Sequence, residues 1–136
     1  MRLSVVGRVM GMRPGLRAEK VVTVGDVDTA IRLGSGDVPV LGTPRLLALA
    51  EEVTVAAVGP HMDEGRTSVG TRVELEHRAA SPVGMRVTVE AELLEVDGAR
   101  LVFGCTATDE HGTVVGTGRI ERVVVDRERF LGRLPS

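Results

Sequence analysis

The segment Thr43-Pro44-Arg45-Leu46-Leu47-Ala48-Leu49-Ala50-Glu51-Glu52-Val53-Thr54-Val55-Ala56-Ala57 is the only stretch of this chain whose pattern predicts a long helix. Thr43 is a favourable N-cap, because its hydroxyl can accept a hydrogen bond from an unpaired backbone N–H of the first turn. Pro44 then takes the first helical position, where a missing N–H costs nothing. The Gly59-Pro60 pair predicts the end of the helix.

This helix is apolar around most of its circumference. The apolar residues at helical spacing are Leu46, Leu47, Leu49, Ala50, Val53, Ala56 and Ala57. A helix of this kind has to be covered on several sides. One sheet covers only one side, so we expect a second copy of the chain to cover the rest, as a homodimer. Glu51 and Glu52 lie in the middle of the helix, and a carboxylate in such a place needs a partner or a function.

Four strand-like segments follow the helix, with no second helix between them. In the first of them, residues 67–80, the side chains of Val69, Thr71, Val73, Leu75 and His77 alternate with polar ones and are predicted to share one face. The remaining segments are residues 85–93, 101–107 and 113–125, and a further strand ends at Val24, before the helix. This order predicts an α+β fold, with an antiparallel sheet of about five strands wrapped around one long helix.

The length of 136 residues predicts a single domain. We expect residues 1–16 to form an N-terminal arm or an extra strand, residues 17–131 the domain, and residues 132–136 a tail. Residues 127–136 as a whole are predicted to be polar.

Composition argues against several classes of function. The net charge is −2 and the only aromatic residues are Phe103 and Phe130, so neither a basic surface nor a stacking platform for nucleic acid is expected. No apolar run approaches the length of a membrane span, and the N-terminus lacks a signal-peptide pattern. We therefore expect a soluble cytoplasmic protein. Cys105 is alone, and the polar loop around His61 lacks the spacing of a metal site, so no metal is predicted.

His77 is the candidate for chemistry. By the two-residue period its imidazole faces the helix, where a buried nitrogen needs a hydrogen-bond partner. Thr43 and Glu51 lie on the element that would face it. One interpretation is a core histidine paired with a carboxylate. The other is hydrolysis by a general base or a nucleophile. The residue pattern leaves both open.

Several short motifs occur in an order that resembles a known family. They are Thr43 with Glu51, Ser68-Val69-Gly70-Thr71 leading to His77, Pro82-x-Gly84, Val87-Thr88-Val89 with Ala91-Glu92-Leu93, and Gly116-Thr117-Gly118-Arg119-Ile120-Glu121-Arg122. Together they resemble the fluoroacetyl-CoA thioesterases, a family with the hot-dog fold, over roughly residues 17–131.

The resemblance implies a function and a set of site residues. The catalytic threonine, glutamate and histidine of the family fall on Thr43, Glu51 and His77, and substrate-binding positions fall on Gly70 and Arg122. The implied activity is hydrolysis of a small or medium acyl-CoA thioester at a homodimer interface. The implied partner is the acyl-CoA substrate, and no cofactor is implied beyond the coenzyme A that the substrate carries.

One segment departs from the family. The fluoroacetyl-specific enzyme has aromatic side chains in the loop before its helix, whereas residues 26–42 here contain none. The resemblance therefore does not extend to selectivity for fluoroacetyl groups. The alternatives are an acyl-CoA-binding module without turnover, a hydratase or dehydratase of the same fold, and a structural dimer in which Glu51 and His77 only bridge the core.

Overall fold

The computed structural model describes residues 11–136. Most of the predicted N-terminal arm or extra strand, residues 1–10, lies outside the described residues. Five strands and three helices follow in the order β1 (Arg17–Thr23), α1 (Ala30–Leu33), α2 (Thr43–Val58), β2 (Arg66–His77), β3 (Arg86–Asp97), β4 (Arg100–Asp109), β5 (Val114–Asp126) and α3 (Arg127–Gly132). The strands form one antiparallel sheet in the order β1-β3-β4-β5-β2. The predicted five-stranded sheet with one long helix is confirmed.

Helix α2 packs against one face of this sheet. The helix contributes Leu46, Leu49, Ala50, Val53 and Ala57 to the core. The strands contribute Val87, Val89, Leu101, Phe103 and Ile120, all of them at most 1% exposed. Ala48, Glu52, Val55 and Ala56 lie on the opposite side of the helix and are exposed. Burial of apolar surface at roughly 25 cal/mol per Å² drives this packing.

The N-terminus of α2 differs from the prediction. The helix begins at Thr43, its N-cap is Gly42, and no side chain caps it, so Pro44 is the second helical residue rather than the first. The cause is close packing. A Cβ on Gly42 would lie 2.8 Å from Leu33 Cδ1 and 3.2 Å from the backbone N and Cα of Ala30, so a larger residue would displace Leu33 and crowd the backbone of Ala30. Thr43 is therefore not the cap, and its hydroxyl is available for another partner.

A β-bulge changes the face of part of β2. The register against β5 shifts between Gly70 and Arg72, which leaves Thr71 as an extra residue. Residues on the two sides of a bulge change phase, so Gly70 shares the helix-facing side with Val73, Leu75 and His77. The prediction that Val69 and Thr71 share that face is wrong, whereas the prediction for His77 is correct.

Strand β2 lies at one edge of the sheet and pairs only with β5 among the described strands. Its other edge carries unpaired backbone groups, a ready template for another strand. The helix α3, Arg127–Gly132, lies in the segment that we expected to be a polar tail. The Asp126 carboxylate accepts a hydrogen bond of 2.9 Å from the backbone N–H of Arg129 and so caps this helix.

No helix within residues 11–136 combines the length and the apolar character needed to cross a membrane.

Candidate active site

The first part of the site is a hydrogen bond between Thr43 and His77. The Thr43 Oγ1 atom lies 2.8 Å from His77 Nδ1. Thr43 occupies the first turn of α2, and His77 is the last residue of β2. Because the side chain of Thr43 does not cap its own helix, its hydroxyl projects across to the strand. The predicted proximity of these two residues is therefore present in the structure.

The His77 imidazole is half-buried and only one of its nitrogens has a partner. The Nε2 atom is buried without a hydrogen bond to any described residue. Desolvation lowers the pKa of His77 below its ordinary value of 6.5, and the backbone of Ala79 partly opposes this effect. The ring is thus held neutral near pH 7. A neutral imidazole can accept a proton or orient a water molecule where a substrate or water reaches it.

An open cleft of ≈ 310 Å³ borders this pair. That volume lies within the range of small-molecule sites. Thr43 and His77 lie on the cleft together with small or apolar side chains from the loop before α2 and from the chain after β2. These side chains are Ala30, Val38, Val40, Leu41, Ala79 and Ala80. Ser35 and Arg78 also line the cleft, which therefore offers an apolar wall beside several polar groups, among them the Thr43 hydroxyl and the His77 imidazole.

The second part of the site surrounds Glu51. The Glu51 Oε2 atom lies 3.4 Å from Arg122 Nη1. Arg122, on β5, is only 7% exposed, and Ser68 holds its guanidinium through Nε to Oγ at 2.9 Å and through Nη2 to the backbone oxygen at 3.1 Å. Burial lowers the pKa of Arg122, while the charge of Glu51 opposes that shift. The arginine, which cannot lose its proton in a protein, fixes the carboxylate electrostatically.

Gly70 lies directly against this carboxylate. A Cβ at position 70 would lie 2.8 Å from Glu51 Oε2 and 3.5 Å from Arg122 Nη1. A side chain at this position would displace the Glu51 carboxylate from the strand, so glycine lets the carboxylate lie against the backbone beside the bulge. Gly70 and Arg122, expected to bind substrate, are thus both next to Glu51.

Within one protomer the two parts are separate. Thr43 and Glu51 are eight residues apart on α2, which places their Cα atoms about 12 Å from each other. Among the described contacts Glu51 bonds to Arg122 rather than to His77. Thr43 with His77 and Glu51 with Arg122 therefore form two half-sites at different heights along the helix.

The neighbouring charged residues have other partners. Glu52 bonds to Lys20 at 2.6 Å, and Arg45 bonds to Asp28 at 2.7 Å. Ser68 belongs to a motif quoted above but was not predicted to be a site residue. It holds Arg122 across 54 residues of chain, and nothing local in the sequence indicates that contact. Burial raises the pKa of Cys105 to about 11, so its thiol is not an activated nucleophile.

Comparison with known proteins gives similarity at the levels of sequence and fold. The family model of the fluoroacetyl-CoA-specific thioesterases matches residues 24–128. A fluoroacetyl-CoA thioesterase of Streptantibioticus cattleyicolor is 38% identical over 91 residues, which are 67% of this chain and 65% of that protein. The match thus spans just under two thirds of the length of this curated relative.

Two solved structures are similar over nearly the whole chain. A thioesterase superfamily member of Thermus thermophilus superposes with a TM-score of 0.85 at 26% identity and covers 91% of each chain. A point mutant of the fluoroacetyl-CoA-specific thioesterase FlK, in complex with fluoroacetate and CoA, superposes with a TM-score of 0.80 at 34% identity, over 88% of this chain and 99% of that one. The fold is therefore the one that thioesterases of this superfamily adopt.

Proposed function

The chain belongs to the fluoroacetyl-CoA-specific thioesterase family, whose hot-dog fold it shares, and from this premise we propose that it hydrolyses small or medium acyl-CoA thioesters. The observation that carries the proposal is the half-buried His77 imidazole, bonded to Thr43 beside an apolar cleft. The structure of the relative with fluoroacetate and CoA supports the same ligand class for this chain. The reaction needs no cofactor besides the coenzyme A of the substrate.

We propose further that the active site forms between two copies of the chain. A second copy of the chain would pair its own β2 with the unpaired edge of β2 and so extend the sheet. Each half-site lies beside one residue of β2. Glu51 lies against Gly70, and Thr43 bonds to His77. The midpoint between Gly70 and His77 falls between Val73 and Glu74, or at Glu74 if the extra bulge residue Thr71 is left out of the register. Antiparallel self-pairing about Val73, the residue just before this midpoint, brings His77 of one copy close to Gly70 and Glu51 of the other.

Charge favours this register. Pairing about Val73 sets Arg72 opposite Glu74 of the second copy, and two-fold symmetry makes that contact twice. Pairing about Leu75 would set Glu74 opposite Glu76 and Arg72 opposite Arg78, which are like charges. Val73 is 43% exposed in the single chain and would be covered at the axis.

In the proposed mechanism each residue acts on one part of the thioester. The Glu51 carboxylate attacks the carbonyl carbon, or accepts the proton of a water that attacks it. The C–S bond then breaks, and the leaving thiolate takes up a proton. If Glu51 is the nucleophile, this leaves a mixed anhydride on its carboxylate, which a water molecule hydrolyses to release the carboxylic acid and regenerate Glu51. If Glu51 is the base, the attacking water yields the carboxylic acid directly. His77 transfers protons and orients water, Thr43 holds the imidazole, and Arg122 holds Glu51. Backbone N–H groups near Gly70 or the start of α2 stabilise the oxyanion, an effect worth about 3 kcal/mol for each donor.

A thioester panel tests the function. We expect the purified protein to release CoA from acetyl- to medium-chain acyl-CoA, measured with a thiol reagent. Since the loop before α2 has no aromatic side chain, we expect no preference for fluoroacetyl-CoA over acetyl-CoA. In parallel, calorimetry measures the binding of a non-hydrolysable CoA thioether. Binding without turnover would indicate an acyl-CoA-binding module instead of a hydrolase. If the protein neither binds the thioether nor hydrolyses any thioester, both functions are contradicted.

The pH dependence follows from His77. Because burial favours the neutral imidazole, the pKa of His77 lies below 6.5 and the ring is neutral throughout the range above it. We expect kcat/KM to fall on the acid side only as the pH drops through this lowered pKa. Titration of the imidazole protons by NMR, assigned with His77→Gln, checks the value. A midpoint above 6.5 would contradict the prediction.

A further inference from the structure

Asp28 bonds the loop before α2 to the start of that helix. We call residues 26–42 the strap. The Asp28 Oδ1 atom accepts a hydrogen bond of 2.7 Å from Arg45 Nε, and Oδ2 accepts one of 2.8 Å from the backbone N–H of Gly25. Its backbone oxygen accepts a third, of 2.9 Å, from the N–H of Gly42. Asp28 thus contacts the start of the strap, the N-cap of α2 and the first turn of α2.

The rest of the strap is fastened to itself and to the chain after β2. The backbone N–H of Ala30 donates to Val40 O at 2.8 Å, and that of Leu41 donates to Ser81 O at 2.8 Å. Thr29 is buried and forms a bridge with Leu41. Ala30, Val40 and Leu41 line the cleft beside Thr43. The strap is therefore a wall of the cleft that is joined to the helix on which Thr43 lies.

The strap contains two ion pairs in very different surroundings. The side chains of Asp28 and Arg45 are 16% and 34% exposed, whereas those of Asp26 and Arg32 are 72% and 58% exposed. An exposed pair contributes little, because water and salt screen it. A partly buried carboxylate with two donors is held much more firmly. Of the two pairs, only Asp28 with Arg45 can fix the position of the helix start.

We propose that Asp28 is a positioning residue, whose carboxylate acts through Arg45, beside the backbone bond from Gly42, to hold Thr43 at hydrogen-bonding distance from His77. Thr43 directly follows Gly42, and Arg45 lies on the same turn, so both anchors are within two residues of the hydroxyl. The kinetic part of this inference depends on the proposed thioesterase function. The structural part, the geometry of Thr43 and His77, does not.

The kinetic test compares Asp28→Asn with Asp26→Asn. An amide keeps the size of Asp28 but loses its charge and one acceptor oxygen. We expect Asp28→Asn to lower kcat about 10- to 100-fold with little change in KM, since a displacement of about 1 Å costs up to about 100-fold. Asp26→Asn, on the exposed pair of the same strap, is expected to stay within about twofold. Equal kinetics for the two variants would overturn the proposal.

A second comparison separates positioning from general destabilisation. If Asp28 acts through Thr43, Asp28→Asn lowers kcat no further in a chain that already carries Thr43→Ala, because the effects of coupled residues are not additive. Additive losses would overturn the proposal. Arg45→Met removes the same pair from the helix side and is expected to reproduce Asp28→Asn. It takes the place of that variant if circular dichroism shows Asp28→Asn to be unfolded.

A spectroscopic test does not need turnover. Loosening the strap admits water to His77, so Asp28→Asn is expected to raise the pKa of His77 toward 6.5, and Asp26→Asn to leave it unchanged. NMR titration of the imidazole reports both. Should the wild type hydrolyse no thioester, this shift alone still decides the role of Asp28. An unshifted titration in both Asp28→Asn and Arg45→Met would refute it.

Discussion

Replacement of Glu51 by glutamine is expected to lower kcat/KM for acyl-CoA hydrolysis by about 1000-fold. An amide can neither attack the thioester carbonyl nor accept the proton of a water molecule, and losses of about 100- to 10,000-fold are usual for such groups. A 1000-fold loss corresponds to about 4 kcal/mol of transition-state stabilisation. Release of CoA, followed with a thiol reagent at saturating and limiting substrate, measures it.

Glutamine is the appropriate replacement because of Arg122. This guanidinium is buried, and removal of its only described carboxylate partner would leave a cation without compensation, at a cost of several kcal/mol. The amide oxygen of glutamine still accepts a hydrogen bond from Nη1, so the loss of activity is not confused with unfolding. Alanine would remove both functions together.

Glu52→Gln is the matched control. This carboxylate is adjacent in sequence, exposed, and bonded to Lys20 on β1. We expect Glu52→Gln to keep kcat/KM within about twofold, since an exposed ion pair contributes little. Turnover like the wild type in Glu51→Gln would remove the carboxylate from the mechanism. Equal losses in both variants would indicate a general effect of charge on α2.

Periodicity was sufficient to predict most of the fold. The apolar spacing in α2 and the two-residue alternation of the later strands follow from burial on one face, which acts locally along the chain. The bulge at Thr71 has no such local signal, because it is determined by the register against β5. The N-cap was misplaced for a similar reason, since the contact of Gly42 with Leu33 is set by how the strap folds back.

For the candidate site, the sequence predicts which face of its strand or helix each side chain lies on, but not which residue that side chain bonds to. The alternation placed His77 toward the helix, and the helix offered Thr43 and Glu51. The choice of partners depends on contacts across 34 residues for Thr43 with His77 and across 71 residues for Glu51 with Arg122. No spacing rule connects positions so far apart. The roles of Ser68 and Asp28 could not be predicted for the same reason, because their side chains act by holding Arg122 and Arg45.

The separation of the two half-sites makes the homodimer testable by complementation. We expect a heterodimer of one Glu51→Gln chain and one His77→Gln chain to have about half the activity of the wild-type dimer, because one of its two shared sites is intact. Each homodimeric variant alone is expected to be nearly inactive. Co-expression with two different affinity tags and tandem purification gives the heterodimer, and thiol release measures its activity.

The pattern of rescue assigns residues to halves. If Thr43 and His77 come from the same copy, a heterodimer of Glu51→Gln with Thr43→Ala recovers about half of the activity. A heterodimer of His77→Gln with Thr43→Ala recovers none, because each of its two sites then carries one defect. If all three residues instead act within one protomer, every site of the Glu51→Gln and His77→Gln heterodimer is defective and no activity returns. Failure to recover any doubly tagged protein would contradict the dimer itself. Rescue in the first two combinations and its absence in the third would require that His77 of one copy acts with Glu51 of the other, as the proposed pairing of β2 edges predicts.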